Sequence, residues 1–180
     1  CRHCIHTAYS RLHTACTAGL AAAAARLLEE DRGRGDHRGP GQNPPLCVAS
    51  QEGPVDIVAL LVAAGARIDH EADGGMTPLL MASKMGRLEV VRLLLEKGGD
   101  MNKVEEYRVT PFHMACKMGH IEVVKLLLEK GAGLEDDGIY DGSTGLILAS
   151  EEGDVDIARL LLEKGADIDR ATHNGATALF

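Results

Sequence analysis

The chain has 180 residues and a mass of 19.1 kDa, long enough for one domain with a substantial core. Aromatic residues make up only 3%, with no Trp, so the buried volume must be aliphatic. That argues against a sandwich or barrel, whose strands draw on aromatic and β-branched side chains, and a net charge of −8 argues against nucleic acid, whose phosphates need a basic face.

The five cysteines (Cys1, Cys4, Cys16, Cys47, Cys116) are odd in number and unevenly spread, which is not a disulfide framework, and no Asn-x-Ser/Thr acceptor occurs. A reducing compartment follows, hence an intracellular protein, cytoplasmic or nuclear. No apolar run approaches the ~20 residues of a membrane span. The tract Ala21 to Ala25 follows no basic segment and lies too deep for a secretory signal. Starting at Cys1 without Met and stopping at Phe180 just inside a new repeat, the chain reads as a fragment.

In chain order, Ser10 to Gly19 parallels Thr110 to Gly119, with Leu12, His13, Ala15, Cys16 and Gly19 in matching slots. A helix-prone run from Ala21 to Glu30 follows. Asp31 to Pro45, with Gly33, Gly35, Gly39, Gly41 and three prolines, reads as a flexible connector. Residues 1–41 are therefore expected to be a degenerate repeat plus a Gly/Pro-rich linker, and 42–180 a regular array.

From residue 46 the columns become regular. Small pairs recur at Ala49/Ser50, Ala82/Ser83, Ala115/Cys116 and Ala149/Ser150, allowing one short helix to lie close against the next. Glycine recurs at 53, 86, 119 and 153, and again at 65, 98, 131 and 165, at intervals of 33, 33 and 34 in both columns. Between the two glycines of each repeat the pattern predicts an amphipathic helix. Val91, Leu94 and Leu95 fall on one face, with Glu89, Arg92 and Glu96 outward. The closing glycine supplies the left-handed residue that helix ends favour. Helices of about ten residues are too short to stand alone in water, so neighbours must stabilise each other. The repeats are predicted at 43–75, 76–108, 109–142 and 143–175, with a further start at 176–180, and the extra residue of the third in the loop 132–143.

Thr110-Pro111-Phe112-His113-Met114-Ala115 resembles the T-P-L-H-x-A signature of the ankyrin repeat, and Gly165-Ala166-Asp167 resembles its ending. The resemblance covers 43–180 plainly and 10–30 faintly. It implies an all-α ankyrin-repeat solenoid of stacked helix–loop–helix units with β-hairpin-like fingers, about four to five repeats. It also implies that Thr77, Thr110, Thr144, Thr177 and His113 are structural. The chain departs from the pattern at Pro44-Pro45, which replaces Thr-Pro, at Gly145 and Ala178, which replace the proline, and at Arg108, which stands where Gly75, Gly142 and Gly175 hold the other fingers. The last departure questions the finger at 104–109.

Chemistry was sought residue by residue. Cys1-x-x-Cys4 with His3, His6, His13 and Cys16 invites zinc, but structural zinc needs two close ligand pairs and only one is present. Arg34-Gly35-Asp36 lies in a Gly/Arg-rich linker, and Gly33-Arg34-Gly35 lacks the strand and third glycine of a dinucleotide loop. His113 has no nucleophile partner, and Cys116 shares a column with Ser50, Ser83 and Ser150. Glu105, Glu106, Asp136, Asp137, Asp141, Glu151 and Glu152 read as solvated fingertips and a helix face rather than acid–base pairs. No catalytic residue, metal or cofactor is expected.

By the family's geometry a concave surface forms from fingertips and first helices. The residues expected to touch a partner are Asp73, Met76, Lys84, Met85, Glu106, Tyr107, Val109, Lys117, Met118, Tyr140, Asp141, Glu151 and Glu152. Exposed Met and Tyr ringed by charge are the makings of a hot spot. The expected function is a monomeric, non-catalytic module that binds another protein, with acidic fingers favouring a segment that carries Lys or Arg. The alternative is the targeting segment of a larger enzyme or channel whose active domain lies outside the chain.

Overall fold

The structure, a computed structural model, describes residues 43–136 and 141–179. The degenerate repeat, the linker, the Cys/His group near residue 1, Asp137 and Tyr140 lie outside the described residues. Eight α-helices are found there, in four pairs: α1 (Pro45–Glu52) with α2 (Val55–Ala63), α3 (Pro78–Lys84) with α4 (Leu88–Glu96), α5 (Pro111–Lys117) with α6 (Ile121–Glu129), and α7 (Gly145–Glu151) with α8 (Val155–Glu163). The fold is all-α.

Local chemistry explains where each first helix begins. Thr77, Thr110 and Thr144 each accept, at the hydroxyl oxygen, the backbone N–H three residues on, at 3.2, 3.3 and 3.4 Å. A donor left over at the helix start is thereby satisfied. Pro111 follows its Thr at the first helical position, where a missing N–H costs nothing. In α1 Pro44 occupies the cap position and no side chain caps the helix.

The core repeats by position: at matching places in the second helices Ile57, Val90, Val123 and Ile157 are buried, as are Leu61, Leu94, Leu127 and Leu161. Ala49, Ala82, Ala115 and Ala149 are fully buried in the first helices. The buried face of α4 is Val90, Val91 and Leu94, while Leu95 is only half-buried. The period-3.6 pattern could not separate Val90 from Leu95, because both border the same stripe.

The described residues form two compact units, the first running to Ala82 and including Glu89–Asp100, the second comprising Ser83–Leu88 and Met101 onward. In the first, α1 packs on α2, and the Asp69 carboxylate accepts the Asp100 N–H at 3.0 Å. In the second, α5 packs on α6 and on α7, and α8 packs on both α7 and α6. Glu135 there repeats the role of Asp69, accepting the Asp167 N–H at 2.8 Å. Within each unit a carboxylate thus ties one ending loop to the next.

The fingers are tight turns. Ala72, Glu105 and Thr172 each donate an N–H to the carbonyl four residues on (Met76, Val109 and Ala176), at 2.8, 3.3 and 2.8 Å. Among the described residues one isolated antiparallel bridge, Ala171 to Thr177, extends this pairing. The finger at 105–109 keeps the same closure as its neighbours although it has no glycine. Arg108 takes φ 63°, beside φ 75° at Gly75 and 84° at Gly175.

Candidate functional site

The thirteen residues singled out by sequence are not alike in the structure. Asp73 and Met76 belong to the first unit; the others that are described belong to the second. Tyr140 lies outside the described residues. Tyr107 is 66% exposed, Met85 41% and Met118 40%. Lys84, Glu106 and Lys117 are exposed next to them in sequence, and Asp141, Glu151 and Glu152 are exposed elsewhere in the same unit.

Met76 and Val109 are half-buried, because their carbonyls close the finger turns. Ser143, in the same finger as Asp141, is buried. Asp141 holds its own turn: one carboxylate oxygen accepts the Ser143 N–H at 3.0 Å. Partial burial would raise its pKa, but hydrogen bonds from the Ser143 side chain and backbone and the nearby His173 outweigh that, and its carboxyl sits below the usual carboxylate value.

Sequence reasoning read Glu105 only as one of the solvated fingertip and helix-face carboxylates. One oxygen of its carboxylate accepts the N–H groups of Tyr107 at 2.9 Å and Val109 at 3.3 Å. This pins the tip that presents Tyr107. An acid a few residues ahead of a non-glycine finger residue was the available signal, and it was hidden among many surface carboxylates.

Within the second unit the loops around Gly86, Gly119 and Gly153 approach one another in order. His120 Nε2 donates to the Lys84 carbonyl at 2.9 Å, and its ring lies over Gly86, where a Cβ would stand 2.6 Å from Nδ1. One layer on, Asp154 Oδ2 lies 3.1 Å from where a Cβ of Gly119 would be. Gly86 and Gly119 also have positive φ, so their glycines serve both backbone shape and close approach.

The two nucleophile or base candidates within the described residues are structural. His113 is fully buried; its Nε2 donates to the Asp136 carbonyl at 2.7 Å and its Nδ1 lies 2.7 Å from the Thr110 hydroxyl. A carbonyl only accepts, so Nε2 carries the proton and both ring nitrogens are occupied. Burial, reinforced by the Asp154 carboxylate, pushes the Cys116 thiol far up, which keeps it protonated and unreactive. Among the described residues no group of three or more His, Cys, Asp or Glu is placed to hold a metal ion. No helix there is long and apolar enough to cross a membrane.

A groove of about 380 Å³, which sequence did not suggest, lies along α6 and α8, floored by Leu128, Ala132, Leu134 and Leu160 and flanked by Lys125 and Lys164. Lys125 is engaged with Glu122 at 2.7 Å.

A family profile of ankyrin repeats in three copies matches residues 46–137, and a profile of the single ankyrin repeat matches 141–173. The chain belongs to the ankyrin repeat family. Ankyrin repeats are in general protein–protein interaction modules, typically without catalytic activity. A comparison with curated proteins finds no match.

Proposed function

We propose that the chain is a monomeric, non-catalytic module that binds another protein through its concave finger and first-helix surface. The carrying observation is the exposure of Tyr107, Met85 and Met118 in one compact unit, next to Lys84 and Lys117. Tyr and Met are among the side chains that protein–protein interfaces favour. A turn pinned by Glu105 and loops locked by His120 and Asp154 form a preformed surface, which loses little conformational entropy on docking. Glu106, Asp141, Glu151 and Glu152 favour Lys or Arg on the partner and speed encounter at low salt. In the first unit Asp73 and Met76 are proposed, by themselves, as partner contacts. The buried free thiols of Cys47 and Cys116 suit a reducing, intracellular compartment.

Affinity capture from cell extract, comparing the wild type with a Lys84→Glu/Tyr107→Ala/Met118→Ala variant, tests this. The variant should keep its helical circular dichroism and lose specific partners. Equal capture by a folded variant would remove the site from this surface.

A further inference from the structure

We infer that the bound partner segment carries its charges in order: carboxylates against Lys84 and Lys117, an apolar side chain against Met85 and Met118, and Lys or Arg against Glu151 and Glu152. This rests on the docking surface proposed above and sharpens it, since a uniformly basic segment would meet two lysines.

The second unit holds three exposed dipeptides, each closing a first helix ahead of a left-handed glycine: Lys84-Met85-Gly86, Lys117-Met118-Gly119 and Glu151-Glu152-Gly153. The His120–Lys84 hydrogen bond of 2.9 Å ties the first to the second, and the close approach of Asp154 to Gly119 ties the second to the third. Positive, positive and negative charge therefore follow each other along one stack.

Local physics explains the lysines but not the glutamates. A helix C-terminus carries partial negative charge, so Lys84 and Lys117 in the last turns of α3 and α5 are well placed. Helix α7 has no basic residue in its last turn, and instead ends on Glu151 and Glu152, which that field disfavours. No ion pair compensates these two glutamates, nor engages Lys84 or Lys117, among the described residues, although Glu89–Arg92 and Glu122–Lys125 pair on the second helices. A local conflict held in place without compensation marks a surface kept for something else. Helix layers about 10 Å apart put unlike charges roughly a Debye length apart, so a partner need not break an existing bridge. Three layers span about 20 Å, the reach of six or seven extended residues at ~3.3 Å each.

Random 12-residue peptides displayed on phage and panned against the 180-residue chain provide the test. Enriched peptides should carry Asp/Glu and Lys/Arg on opposite sides of an apolar residue, in one constant chain direction. Lys84→Glu/Lys117→Glu, which alters exposed side chains only, should weaken them roughly tenfold or more at low salt. Changing the acidic end of such a peptide to Lys should restore its binding to that variant. Peptides sensitive to Met85→Ala/Met118→Ala but without charge order, or indifferent to the lysine reversal, would overturn the order and leave the docking surface standing. No enrichment, or peptides indifferent to every one of these substitutions, would overturn both.

Discussion

Arg108 sits at φ 63° in a turn where other fingers use glycine. For an L-residue that region costs about 1–2 kcal/mol, while glycine would give back about 0.4–1 kcal/mol through a freer unfolded chain. Arg108→Gly should therefore raise stability by roughly 0.5–1 kcal/mol, read as a higher denaturation midpoint. A lower midpoint would mean that the Arg side chain packs rather than strains. Asp141 gives a pH test with a definite sign. Its folded pKa lies below the unfolded value of about 3.9, so its contribution is present above that value and fades as pH falls through the folded one. The stability gap between the wild type and Asp141→Asn should shrink on acidification from about pH 5 to pH 2; a constant gap would show that the charge is not involved. At this scale the capping threonines and His113 were legible, because each role follows from a side chain and a fixed offset. The partial burial of Met76 and Val109 was not, because their carbonyls close the turns in which they sit.

Elements were the most legible scale. Helix pairs, glycine ends and the buried Leu94 position follow from the 33-residue period and simple amphipathicity, since each is repeated and errors do not accumulate; the buried Val90 position did not stand out beside Leu95. What the period hides is variation between repeats, and Gly145 is the clearest case. It opens α7 where a proline was expected, and a Cβ there would lie 2.7 Å from Phe112 Cε1 and 3.1 Å from Cys116 Sγ. In the Phe112 column the other repeats carry Leu46, Leu79 and Leu146, and the pattern gave no reason to link the larger ring to a missing side chain one repeat later. Gly145→Ala should cost about 1–3 kcal/mol by overpacking, and Phe112→Leu should relieve much of that cost in the double variant. A double-mutant cycle in urea measures the coupling; strictly additive effects would mean that the ring has room to move.

At the scale of the molecule, the class of function was legible and its details were not. Aliphatic composition, negative net charge and repetition exclude most chemistries and leave a binding surface. Charges on that surface were read one repeat at a time, as an acidic groove, because sequence gives no register between loops. The stacking through His120 and Asp154 turns the same residues into a series with a direction. Phe112 and Gly145 carry a consequence of another kind. Repeat arrays lengthen and shorten by copying and deleting units, yet these two residues lie in different units and fit only each other. A copying event that placed another repeat between them would set a proline-bearing neighbour against the phenylalanine ring. The third and fourth repeats are therefore expected to be inherited as a pair, with the array free to grow or shrink on either side of them.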